Sequence, residues 1–124
     1  MFNKLLAGAL CLAVALPVTA FAEELNVYSA RKEKLIKPLL DQFTEATGIK
    51  VNLLTGKADA LLKKLELEGE NTPADLLITT DAGRLYRAQQ ADVLQPIESA
   101  VLEENIPANL RAADNYWFLS LIHI

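Results

Sequence analysis

The 124-residue chain carries one cysteine, one histidine, one tryptophan and five glycines. Each scarcity removes a class of chemistry. A lone cysteine forms neither an internal disulfide nor a multi-thiolate metal site. The single histidine, His123, makes no histidine pair, and the scattered glycines form neither a phosphate loop nor a nucleophile elbow. Basic side chains number 12 against 16 acidic ones, a net charge of −4. That balance argues against nucleic acid, which needs a basic footprint. Internal repeats, low-complexity tracts and interdomain linkers are also missing. The apolar run from Leu5 to Leu16 is too short to span a bilayer, and Pro17 interrupts its end. An enzymatic reading would have to rest on isolated carboxylates, which define no reaction.

What is present begins with an export signal. Lys4, the apolar run and the small-residue triplet Ala20-Phe21-Ala22 make residues 1–22 a secretory signal peptide, with cleavage expected between Ala22 and Glu23. Cys11 lies inside the apolar run without the small residues a lipoprotein site needs before it, so it is expected to be discarded. The exported chain is then 124 less 22, or 102 residues, with no cysteine. Losing Lys4 leaves 11 basic against 16 acidic side chains. This length suits one small exported domain with no membrane insertion after cleavage.

The exported part alternates strand and helix signals. Leu25 to Ser29 reads as a short strand. An amphipathic helix follows, with Leu35, Leu39 and Phe43 in one row, and Ile36 and Leu40 in the adjacent one. Pro38 implies that the regular helix starts near it or kinks there, and Gly48 is a stop signal. Lys50 to Leu54 is the second strand. Ala60, Leu61, Leu62, Leu65 and Leu67 mark a second helix closed by Gly69. Asp75 to Thr79 is a third strand, apolar enough in its middle to suit burial on both faces. Asp81 or Thr80 caps a third helix whose buried side is expected to be Leu85, Tyr86 and Ala88. Glu98 to Glu104 and Pro107 to Leu110 add short helical pieces. Tyr116 and Trp117 read as core or edge packing. The order implies an α/β fold with parallel strands and right-handed crossovers.

In an open parallel sheet, ligands sit beyond the carboxyl ends of the strands, at helix N-termini. Three loops fall there: Tyr28 to Glu33, Thr55 to Asp59 and Thr79 to Arg84. The first carries Tyr28-Ser29-Ala30-Arg31, read as delivering a phenol, a hydroxyl and a guanidinium to one spot. Arg31, Ser29 and Thr80 suit an anion, whereas Tyr28, Glu33 and Asp81 are hard oxygen donors suited to a hard cation. Lys57 and Asp81 sit at the cleft rim and at helix caps. Each has a plainer use. Tyr28 also suits packing under a helix, Arg31 an ion pair with Asp81 or Glu33, Asp81 an N-cap, and Lys32, Lys34 and Lys37 a solvated face.

Leu25 to Arg31, Phe43 through Thr47 to Val51, Gly56-Lys57-Ala58-Asp59, Thr72-Pro73-Ala74-Asp75, Asp81 to Leu85 and Asn115 to Phe118 closely resemble the ferric-iron periplasmic binding proteins of ABC transporters. The likeness runs from about Glu24 to Phe118. It implies the type II periplasmic binding protein fold, with residues 23–118 as part of the first of two lobes, incomplete at the C-terminus. It implies a monomeric, non-enzymatic receptor that closes over Fe³⁺, with carbonate or phosphate as synergistic anion, and delivers it to an inner-membrane ABC permease. Many members place a histidine, or a histidine followed by tyrosine, where this chain has Lys32 and Glu33, and some have a glutamate at the position of Thr80. The match is to a branch with a YSxR motif, in which Arg31 holds the anion and the paired tyrosine ligands come from the second lobe. The terminal Leu119 to Ile124 breaks the likeness and matches the in-frame translation of a transposon-end adaptor used in sequencing libraries. It is expected to be a non-native tail. A receptor for another anion or a small organic solute, an exported α/β hydrolase and a structural module are the alternatives.

Overall fold

The computed structural model describes residues 23–119. Residues 1–22, the expected signal peptide with Cys11, and residues 120–124, with His123, lie outside them. Three strands, β1 (Glu24–Ser29), β2 (Lys50–Thr55) and β3 (Leu76–Ile78), form one parallel sheet in the order β2-β1-β3. The register is continuous from Glu24↔Lys50 to Ser29↔Thr55 on one side, and from Val27↔Leu76 to Ser29↔Ile78 on the other. Helices α1 (Glu33–Thr47), α2 (Ala58–Glu68), α3 (Ala82–Gln90) and α4 (Ala100–Asn105) follow, with 3-10 turns at Gly69–Asn71 and Ala108–Leu110.

Strand alternation divides the sheet into two faces. One face carries Val27, Val51 and Leu53; the latter two line a shallow cavity with Leu40 of α1. The other carries Tyr28, which packs with Leu61 and Leu65 of α2, backed by Ala30, Ala74, Leu77 and Val93. Full burial of leucines such as these contributes roughly 1.5–3 kcal/mol each. In α1 the row facing the sheet is Ile36 and Leu40; Leu35 and Leu39 of the neighbouring row stand outward, each more than half exposed.

Pro38 does not start α1. The helix begins at Glu33, and Pro38 is its sixth residue, where it withholds one backbone donor. Gly48 ends the helix in the left-handed region, with φ of 74°, and its N–H donates to the Thr44 carbonyl. The third strand is shorter than expected and is an edge strand: Leu76 is 40 % exposed. Tyr86, expected in the core, is also exposed, because α3 turns Leu85 and Ala88 inward. Beyond α4 the chain doubles back. Arg111 and Phe118 form an antiparallel bridge, and Leu119 N–H closes on the Leu110 carbonyl at 2.8 Å. Trp117 donates from Nε1 to Gln89 Oε1 at 3.1 Å, tying this turn to α3.

Candidate functional site

The carboxyl edge of the sheet is built by two backbone hydrogen bonds that extend the ladder past the strands. Gly56 N–H donates to the Ser29 carbonyl at 3.1 Å, and Ala30 N–H to the Ile78 carbonyl at 2.8 Å. Ser29 is level with Thr55 and Ile78, and two residues beyond each in sequence stand Arg31, Lys57 and Thr80, in the loops that leave the three strand ends. They leave adjacent strand ends spaced about 4.8 Å apart. The N-termini of α1, α2 and α3 converge there as well, so backbone N–H groups and helix dipoles add positive potential.

Arg31 is half-buried, and its guanidinium has no hydrogen-bond or ion-pair partner among the described residues. The pairing with Asp81 expected as its plainer use does not form. Asp81 instead caps α3, its Oδ1 accepting Arg84 N–H at 2.8 Å, while Oδ2 pairs with the Arg84 guanidinium. Both contacts with Arg84, the backbone one first, hold its carboxyl below the ordinary carboxylate value. Gly83 makes room for this cap, since a Cβ there would stand 3.2 Å from Asp81 Oδ1. Arg87 Nη2 reaches Asp59 Oδ1 at 3.0 Å, and Arg84 Nε lies 3.9 Å from the same oxygen. The carboxylates of this flank are therefore engaged by Arg84 and Arg87, leaving Arg31 uncompensated.

Tyr28 and Ser29 part company at the edge. Tyr28 is 5 % exposed, and its hydroxyl donates toward Glu68, lying 3.1 Å from both carboxylate oxygens. Glu68 is the last residue of α2, a helix of 11 residues that starts at the edge and runs about 16 Å away from it. The phenol thus points down the sheet rather than into the edge. Burial, followed by the Glu68 contact, raises its pKa. Lys64 and Thr72 complete the cluster, reaching Glu68 at 2.7 and 2.8 Å. The Lys64 contact leads in lowering the Glu68 pKa, and the same contact raises that of Lys64. Ser29 is fully buried, and its Oγ accepts Arg31 N–H at 3.1 Å. It therefore does not present its hydroxyl to an anion.

Among the described residues no group of three or more His, Cys, Asp or Glu side chains is placed to hold a metal ion. No helix among them is long and apolar enough to cross a membrane. The family profile described as bacterial extracellular solute-binding protein matches residues 28–121. The chain belongs to that family.

This solute-binding protein is 48% identical over 96 residues to iron uptake protein A1 of Synechocystis sp., a match covering 77% of this chain and 27% of that protein. It is 32% identical over 103 residues to the Fe(3+)-binding periplasmic protein of Serratia marcescens, covering 83% and 30%. Among solved structures, a Trichodesmium protein in complex with iron and citrate superposes with a TM-score of 0.74 at 50% identity, over 77% of this chain and 30% of that one. The ferric binding protein from Campylobacter jejuni gives 0.74 at 48% identity, over 76% and 30%. The chain thus spans under a third of the length of these relatives.

Within the solute-binding protein the structure brings Arg31, Lys57 and Thr80 to one edge, with Thr80 and Lys57 exposed and free of side-chain hydrogen bonds among the described residues. Glu33 opens α1 and lines the shallow cavity of about 100 Å³ between α1 and β2, on the β2 flank. Two further sets of residues surround Tyr28 and Asp81 without having been expected from the sequence. Glu68, Lys64 and Thr72 lie at spacings of four residues, but nothing local ties them to Tyr28, which is 40 positions from Glu68. The Asp81–Arg84 pair does carry a local signal, an i, i+3 spacing behind a capping residue.

Proposed function

We propose that this solute-binding protein receives Fe³⁺ together with an oxyanion in the periplasm and presents it to an ABC permease in the inner membrane. The observation that carries the reading is Arg31: a guanidinium without a partner among the described residues, at the carboxyl edge of a parallel sheet where three helix N-termini meet. A planar guanidinium fork suits carbonate or phosphate oxygens, and Lys57 adds a second positive charge on the next strand end. The relatives support the cargo, being named for iron uptake or ferric binding, one of them solved with iron and citrate.

In this reading the lobe supplies the anion side of the site. Tyr28 is withdrawn from the metal ligand set because its phenol is buried and bonded to Glu68. Glu33 stays as a first-lobe carboxylate offered to the metal, and the remaining ligands come from the part of the relatives' length that this chain does not span. Coordination and release leave the cargo chemically unchanged, which fits a receptor rather than an enzyme, and we propose that it works as a monomer.

The test is titration of the full-length protein with Fe³⁺ in the presence and absence of bicarbonate, phosphate and citrate. A visible charge-transfer band developing with 1:1 stoichiometry and requiring one of these anions is expected. Absence of ferric binding together with tight binding of a small organic solute overturns the reading.

A further inference from the structure

We propose that Ser29 is the positioning residue of the anion site, acting through Arg31 rather than touching the anion. The inference rests on the reading of Arg31 as the anion's partner. Ser29 is fully buried, and its Oγ accepts the Arg31 N–H at 3.1 Å. Its carbonyl accepts Gly56 N–H at 3.1 Å, and the next residue, Ala30, donates to Ile78 at 2.8 Å. One residue therefore fixes the turn that carries Arg31 through its side chain, and the turn that leads to Lys57 through its main chain. The neighbouring Ala30 fixes the approach to Thr80.

A serine hydroxyl that accepts the N–H two residues on bends the chain out of strand direction and sets the Cα–Cβ vector of that residue. Arg31 depends on this more than most arginines do. With no partner for its guanidinium among the described residues, only its anchored backbone limits where the head group can reach. Holding a recognition group in place before the ligand arrives lowers the ordering cost of binding. Alanine at position 29 would fill nearly the same volume but remove the acceptor, leaving Arg31 N–H to solvent and the arm to wander. Since Ser29 has no exposed surface, any effect on the anion has to pass through the backbone it holds.

The experiment is a double-mutant cycle in the full-length protein: wild type, Ser29→Ala, Arg31→Ala and the double variant, with Ser29→Thr as the conservative control. The readout is the bicarbonate concentration at half-maximal development of the ferric charge-transfer band. Ser29→Ala is expected to raise it about three- to tenfold, the worth of one net hydrogen bond. Ser29→Thr should restore the wild-type value, and the double variant should need no more bicarbonate than Arg31→Ala alone, because Ser29 works only through Arg31. An unchanged requirement in Ser29→Ala, or full additivity in the double variant, overturns the positioning role while the Arg31 reading stands. An unchanged requirement in Arg31→Ala sinks the underlying reading and this inference with it. Should Ser29→Ala fail to fold, Ser29→Cys, similar in size and a weaker acceptor, carries the same contrast.

Discussion

Replacing Tyr28 by phenylalanine separates packing from metal ligation. The ring packs on Leu61 and Leu65, and the substitution keeps that contact. What is lost is the hydroxyl's bond to Glu68, a carboxylate that retains Lys64 at 2.7 Å and Thr72 at 2.8 Å. No buried group is left unsatisfied, so the expected loss of stability is about 1 kcal/mol. Tyr28→Ala removes the ring as well and is expected to cost about 3–5 kcal/mol. Both follow from chemical denaturation of the full-length protein, with iron titration of the phenylalanine variant in parallel. The ferric charge-transfer band and the iron affinity should be those of the wild type. A displaced or missing band, or a loss of iron affinity exceeding the loss of stability, would place the Tyr28 phenolate on the metal and refute the reasoning.

Other perturbations test the scaffold around the edge. Asp81→Ala removes the cap of α3 and frees Arg84, so amide exchange in Ala82–Gln90 should quicken first, while α1 and α2 keep their protection. Gly48→Ala meets no atom within 4 Å, so its cost is the left-handed backbone alone, roughly 1 kcal/mol by denaturation. Alkali should attack the Tyr28 cluster. The Tyr28 and Lys64 pKa values are raised from ordinary values of 10.0 and 10.5, so the folded state favours both protonated forms. The stability they contribute is complete below those ordinary values and is lost as pH rises through the higher folded ones. Unfolding free energy followed from about pH 9 to 12 should fall less steeply in Tyr28→Phe.

The layout of strands and helices was legible because apolar period and punctuation agree: Gly48, Gly69 and the Thr72-Pro73 turn each fall where an element stops. Which of two adjacent helical rows faces the sheet was not. Leu35–Leu39 and Ile36–Leu40 have equal apolar content, and only the path of the chain turns the second pair inward. The site was half legible. Topology alone places Arg31, Lys57 and Thr80 at one edge, each two residues beyond a level strand end. The expectation that Tyr28 and Ser29 meet at the same spot ignored strand alternation, which sends neighbouring side chains to opposite faces. The engagement of Asp81 by Arg84, which leaves Arg31 without a partner among the described residues, depends on helix capping geometry that spacing suggests but does not fix.

The central claim is that Arg31, presented by Ser29 at the carboxyl edge of β1, holds the anion beside the iron. Its most direct test is a crystal structure of the full-length, iron-loaded protein with an anomalous difference map at the iron absorption edge. An oxyanion in contact with the Arg31 guanidinium and bound to the iron, with Tyr28 still on Glu68, is expected. Iron ligated by Tyr28, or an iron site with Arg31 turned away and no anion against it, would contradict the account.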